Sequence, residues 1–188
     1  MGKKKEKIPP PGNKKDPYTN FLTKAKWKQA FGKVNLEIPG RNIQFQGAIT
    51  IGNAISKNKI ISVIDLSSNH IGDRGCTEIA QILKVNESIH TVILACNEIT
   101  DIGGIALASA FIPCANPTGA PSQWNRTVST INLAGNQCGN DTMLAMSNAA
   151  AVHLDLTRVD LTNNVVGGTG MKVLRRCLQR NAFVTFVL

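Results

Sequence analysis

The sequence lacks the features that define membrane, secreted and zinc-bound proteins. Its 188 residues contain no apolar run of 18 or more, and the lysine-rich first residues lack the apolar stretch of a signal peptide. The five cysteines are an odd number with no close pair, so neither a disulfide framework nor a zinc site is indicated. We therefore expect a cytoplasmic or other intracellular protein, not a secreted one, that has no membrane contact and keeps its thiols reduced.

Patterns typical of catalysis and nucleotide binding are also missing. The histidines His70, His90 and His153 have no acid or nucleophile at a spacing that would assemble an active site. The glycine-rich segment 167–172 lacks the spacing of both common phosphate-binding loops, GxxxxGK and GxGxxG. The sequence thus predicts a protein that is not an enzyme and that binds no cofactor, no metal and no small-molecule substrate.

The formal net charge of +9 is concentrated at the start of the chain. Residues 1–33 hold ten lysines against two acidic residues, whereas residues 34–188 hold 11 basic and 10 acidic residues, a net charge of +1. We predict that residues 1–17 form a basic tail that is disordered alone and binds an acidic polymer, either RNA or the surface of a microtubule. The lysines assigned to this contact are Lys3, Lys4, Lys5, Lys7, Lys14 and Lys15.

A 28-residue repeat accounts for most of the remaining chain. Each copy passes from alternating apolar positions to a helical apolar spacing, which indicates a strand, a turn and a helix. Successive copies are offset by 28, 28, 39 and 28 positions, and the longer offset predicts an insertion loop over 112–127. The repeated leucines are Leu66, Leu94, Leu133 and Leu161, and the repeated asparagines are Asn69, Asn97, Asn136 and Asn164. We expect one leucine core column and one buried asparagine ladder.

The segments ISVIDLSSNHIGDRG, from Ile61, and LTRVDLTNNVVGGTG, from Leu156, resemble the leucine-rich repeat, specifically the 28-residue repeats of the ribonuclease-inhibitor-like class. The resemblance covers residues 33–188. It implies an α/β solenoid, a right-handed arc of about five repeats with parallel strands on its concave face and helices on its convex face. The amphipathic run 18–32 is predicted to be a helix that caps the first repeat. Function in this fold depends on variable surface residues.

One column of strand residues that point away from the core is rich in acidic residues. This column predicts a concave groove for a basic or polar segment, belonging either to a partner or to this chain's own tail. A merely solvated strand face is the alternative interpretation. The predicted partner-binding residues of the concave face are Glu37, Asp65, Ile93, Asn132 and Asp160, with Arg158 in the adjoining column.

Two further places favour a partner. Trp124 lies in the insertion loop, where an aromatic residue either anchors an interface or packs over neighbouring helix ends. Residues 183–188 begin another strand of the series, with Val184 and Val187 in register and no helix after them. We predict that a partner chain covers this uncapped edge. The residues assigned to that contact are Phe183, Phe186 and Leu188.

These features predict a non-enzymatic scaffold, a structural subunit of a large intracellular assembly that is anchored by its basic tail. Candidate assemblies are the cytoskeletal axoneme of a cilium or flagellum and a ribonucleoprotein particle. The alternative is a reversible regulator of a GTPase or signalling protein that binds its target on the concave face.

Overall fold

The computed structural model describes residues 26–30, 33–113, 124–180 and 183–188. From Lys33 onward, strands and helices alternate in the described chain, because each repeat changes from a period of two to a helical spacing. The predicted basic tail with its six lysines lies outside the described residues, as does the middle of the insertion loop.

Seven strands form one sheet within the described residues, and their order in the sheet follows the sequence. Strands β2 to β7 run parallel, and β1 pairs antiparallel with β2. The strands are β1 Lys26–Ala30, β2 Lys33–Glu37, β3 Ile61–Asp65, β4 Thr91–Ile93, β5 Thr130–Asn132, β6 Arg158–Asp160 and β7 Thr185–Val187. Each strand therefore touches only its sequence neighbours, as in a solenoid.

A helix occupies each parallel connection of the described chain, and together the five helices form a second layer. They are α1 Gln44–Ile55, α2 Gly72–Val85, α3 Asp101–Ser109, α4 Asn140–Val152 and α5 Gly168–Arg180. In α2, Ile79 and Leu83 lie one turn apart and are buried, whereas Gln81 between them is exposed. The predicted α/β leucine-rich repeat solenoid is confirmed.

The strand register reproduces the predicted offsets. Ile64 pairs with Val92, Val92 with Ile131, and Ile131 with Val159, so the long offset falls between β4 and β5 as the repeat predicts. The leucine column of the same repeats is at most 1% exposed. Its members are Leu66, Leu94, Leu133 and Leu161. The core lies between the sheet and the helices and continues from one repeat to the next.

The asparagine ladder forms at the turns that follow the strands. The Asn97 side-chain oxygen accepts from the backbone N–H of Asn69 at 2.9 Å, and the Asn136 oxygen accepts from that of Asn97 at 2.9 Å. The amide group of Asn97 also donates to the Leu66 carbonyl at 2.9 Å. Asn69 and Asn97 are fully buried, and Asn164 at the end of the ladder is half-buried. The ladder thus joins the turns of neighbouring repeats.

A second set of side chains links the helices. Asp73, at the start of α2, accepts from the backbone N–H groups of Thr100 and Gly103 at 2.8 and 2.9 Å and so caps α3. Asp101, at the start of α3, accepts from the N–H groups that open α4, and Asn140 does the same for α5. The starts of α3, α4 and α5 therefore depend on the preceding repeat.

The prediction of a helix over 18–32 is wrong for Lys26–Ala30, which forms strand β1. The remaining residues of that segment lie outside the described part of the chain. Lys26 pairs with Glu37 and Ala30 with Lys33 in an antiparallel register. Without β1, the edge of β2 would leave a row of backbone donors and acceptors unpaired, and residues 26–30 satisfy them as a strand.

The predicted register of the last strand is wrong by one residue. Phe186, not Val187, lies beside Val159, and Val187 lies beside Asp160. The final offset along the core column is therefore one position shorter than the 28-residue repeat. A slip of one residue exchanges the two faces of a strand, so Phe186 packs against the core.

Candidate protein-binding surfaces

The predicted acidic column crosses the concave face in an unbroken register. Glu37 lies beside Asp65, Asp65 beside Ile93, Ile93 beside Asn132, and Asn132 beside Asp160. All five side chains are half-buried, with the remainder open to solvent on the side of the sheet opposite the helices. The 28-residue repeat therefore brings residues far apart in sequence into one row.

Two of these acids also fix the turns after their own strands. The Asp65 carboxylate accepts hydrogen bonds from the Ser67 hydroxyl at 2.7 Å and from the Ser67 backbone N–H at 3.0 Å. Asp160 accepts the equivalent bonds from Thr162 and a bond from the Arg158 guanidinium at 3.2 Å. Partial burial of Asp160 opposes ionisation, but these hydrogen bonds outweigh it and lower the pKa of the carboxyl group. The Asp160 carboxylate is thus ionised at neutral pH, and the Arg158 guanidinium offsets part of its charge.

The centre of the concave face is uncharged and lined with small side chains. Ile93 interrupts the acidic column between Asp65 and Asn132. Ala95 and Ala134, two residues beyond the column on neighbouring repeats, are half-buried. A partner chain can approach the backbone closely at Ala95 and Ala134 because their side chains are short.

Trp124 lies at the turn between α3 and β5, on the edge of the solenoid where helices lead into strands. Its ring meets the His153 ring edge to face at 5.9 Å, and the Arg126 guanidinium lies 4.8 Å from its centroid. Clefts of about 370 and 250 Å³ flank it. The half-buried Trp124 ring packs against His153 and also lines the two clefts, so its role as an interface anchor stays a prediction.

Next to Trp124 runs a second asparagine column, to which the sequence analysis assigned no role. Asn86 and Asn125 hold the helix-to-strand turns, and Asn125 donates to the Leu83 and Asn86 carbonyls at 2.8 and 3.0 Å. His153 takes the equivalent place one repeat after Asn125 and is 1% exposed. Neither ring nitrogen of His153 has a hydrogen-bond partner of good geometry among the described residues. The signal was available, since Asn86 and Asn125 are separated by the same long offset as Asn97 and Asn136 in the main ladder.

At the last strand, the three predicted edge residues differ in exposure. Phe183 is 85% exposed and Leu188 is 43% exposed, whereas Phe186 is half-buried against the core. Their contact with a partner remains a prediction. Nearby, α5 carries exposed basic residues, with Lys172, Arg175 and Arg176 among them.

Among the described cysteines, Cys76, Cys138 and Cys177 are buried, whereas Cys96 is exposed. Cys76 and Cys138 are fully buried, and burial raises the pKa of Cys76 strongly and that of Cys138 to about 12. Both thiols are protonated at neutral pH and are poor nucleophiles. In the part of the chain that the structure covers, no three His, Cys, Asp or Glu side chains are grouped as metal ligands. None of the described helices combines the length and apolarity that a membrane span requires.

Comparison with known proteins agrees with the fold. The leucine-rich repeat family model matches residues 57–80, 85–108 and 153–174. Together with the alternating strands and helices, these matches define the class: the chain is a leucine-rich repeat protein. No curated protein sequence matches it significantly.

Among solved structures, the chain is similar to leiomodin-1 actin-binding site 2. The TM-score is 0.62 at 18% sequence identity, and the alignment covers 79% of this chain and 80% of that one. This likeness shows that the two chains share a fold.

Proposed function

We propose that this leucine-rich repeat protein is a non-enzymatic scaffold subunit of a larger intracellular assembly and that its concave face binds a basic segment of a partner protein. The observation that carries the proposal is the in-register column from Glu37 to Asp160, which faces solvent along five strands. Carboxylates arranged in one row suit a partner segment that carries lysine or arginine and crosses the strands.

The small residues beside the column support the same proposal. A segment that lies on Ala95 and Ala134 comes near the acidic row without displacing long side chains. Most of the described carboxylates in this row are already held by turn hydrogen bonds, so little side-chain entropy is lost when a partner binds.

The basic tail is the second element of the proposal. Residues 1–17 would anchor the scaffold to an acidic polymer, which is the surface of a microtubule in a ciliary or flagellar axoneme or the RNA of a ribonucleoprotein particle. Actin is a further protein to test, because the structural neighbour is named for its actin-binding site. A reversible regulator of a GTPase or signalling protein is the alternative function, and it would use the same concave face.

Opposite charges placed at one position test the concave site. Ile93→Glu adds a carboxylate beside Asp65 in the acidic row and should increase the amount of partner recovered with the tagged chain from native cells, and Ile93→Lys should decrease it. The matched controls are Gln81→Glu and Gln81→Lys, which make the same charge changes on the exposed side of α2. Equal recovery with both Ile93 variants would contradict the proposal. Recovery of a GTPase as the sole partner would favour the regulator.

A further inference from the structure

The outer side of α5 has the layout of a helix-to-helix contact. Met171, Arg175 and Leu178 follow one another at intervals of four and three residues, so they share one line along the helix. Met171 is 38% exposed, Leu178 is 39% exposed and Arg175 is exposed as well. Two large apolar side chains on either side of an arginine are thus open to solvent.

The same line on α4 is buried. The residues one repeat earlier are Met143, Ser147 and Ala150, which are 0%, 4% and 0% exposed. The Ser147 carbonyl lies 3.5 Å from the thiol of Cys177 on α5, so this side of α4 faces the next helix. On α5 the corresponding positions carry a second methionine, an arginine in place of Ser147 and a larger leucine in place of Ala150.

The charge on α5 indicates what covers this line. Lys172, Arg175 and Arg176 are exposed, and the helix has no acidic residue between Gly168 and Arg180. None of these three basic groups forms an ion pair within the described part of the chain. An arginine at the centre of an apolar contact line needs a carboxylate opposite it, because burial of an unpaired charge is costly.

We infer that the outer side of α5 binds an acidic amphipathic helix of a partner protein. The apolar residues of that helix cover Met171 and Leu178, and a carboxylate pairs with Arg175. A second copy of this chain does not suit the surface, since two α5 helices face to face would bring their basic residues together. This inference rests on the proposed scaffold function and adds the chemistry of a second partner contact.

The test is site-specific photo-crosslinking from position 178 of the full chain in its native cells. The crosslinked peptide is then identified by mass spectrometry. We expect a segment of another protein with helical apolar spacing and an Asp or Glu within one turn of the crosslink. A crosslink to a second copy, to RNA, to lipid or to a segment without acid would overturn the inference, as would the absence of any crosslink.

Charge reversal gives the matched control. Arg175→Glu should reduce the crosslink yield about tenfold or more, because it places like charges at the contact, whereas Arg175→Lys should retain most of it. Arg176→Glu makes the same charge change outside the contact line. The residue one repeat before Arg176 is Asn148, which is exposed on α4, so this variant should change the crosslink yield less than twofold. Equal losses for Arg175→Glu and Arg176→Glu would overturn the inference in favour of general electrostatic attraction. Circular dichroism confirms that each variant is folded.

The two proposals fail in different ways. If Ile93→Lys lowers partner recovery while Arg175→Glu has no effect, the α5 site is refuted and the concave site stands. If neither variant has an effect, both are refuted.

Discussion

Removing the Asn97 side chain measures how strongly the ladder stabilises the solenoid. In Asn97→Ala, the buried N–H groups of Asn69 and Ile71 lose the oxygen that accepts from them at 2.9 and 3.4 Å. The position is fully buried, so water cannot replace that oxygen. An unpaired buried donor costs about 1–3 kcal/mol, so we expect the free energy of unfolding to fall by about 3 kcal/mol.

Asn164→Ala is the matched substitution at the end of the same ladder. The Asn164 oxygen accepts from a single backbone N–H, that of Cys138, at 2.8 Å, and the side chain is half-buried. Water can partly replace it, so the expected loss is about 1 kcal/mol. Urea unfolding followed by circular dichroism measures both losses. Equal losses, or a loss below about 1 kcal/mol for Asn97→Ala, would refute the view that the cost arises from unpaired buried groups.

Three other substitutions and one deletion extend these tests. Burial lowers the pKa of His153, so the wild-type chain should lose stability as the pH falls below about 6.5. The substitution His153→Asn should remove this pH dependence. Identical urea midpoints for the wild type at pH 7.5 and 5.5 would contradict the prediction. Partial burial of Asp101 opposes ionisation, but hydrogen bonds from Thr142 outweigh it and lower the pKa of the carboxyl group. The contribution of Asp101 to the free energy of unfolding is therefore complete above about pH 3.9 and is lost in more acidic solution. At neutral pH, Asp101→Ala should lower the free energy of unfolding by about 1 kcal/mol in thermal unfolding. Leu94→Ala should cost about 2–5 kcal/mol through a core cavity, and a loss below about 0.5 kcal/mol would argue against the leucine column. Deletion of residues 1–16 should leave the unfolding midpoint unchanged. It should weaken the attachment of the chain to its partner and reduce the salt dependence of that attachment. If attachment is unchanged, the tail is only a solvated end of the chain.

The sequence was sufficient to predict the repeats because each one is held by the same few side chains. Leucine and asparagine at fixed offsets mark the core column and the ladder, and the insertion showed itself as a single offset of 39 residues. Once the offset is known, the position of Ile93 between Asp65 and Asn132 follows from parallel pairing. The order of the concave-face residues across the strands was therefore predictable from the sequence.

Other features depend on contacts that a periodic pattern does not contain. The segment Lys26–Ala30 suits a strand as well as a helix, and the open edge of β2 decides between them. The offset between the last two strands is one residue shorter than the repeat. Periodicity alone therefore predicted Val187 beside Val159, where Phe186 lies. The caps from Asp73 and Asp101 join different repeats through single carboxylates, and short polar residues near a helix start are too common to identify such bonds.

The most direct test of the proposed function is the dissociation constant of the isolated partner for Ile93→Glu and Ile93→Lys, measured across a range of salt concentrations. The two variants differ by two charges at the centre of the acidic row, and one charge pair at about 4 Å is worth about 1 kcal/mol in water. We expect the glutamate variant to bind at least about tenfold more tightly at low salt, with the difference shrinking as salt is added. Equal affinities, or tighter binding by the lysine variant, would contradict a concave site for a basic segment.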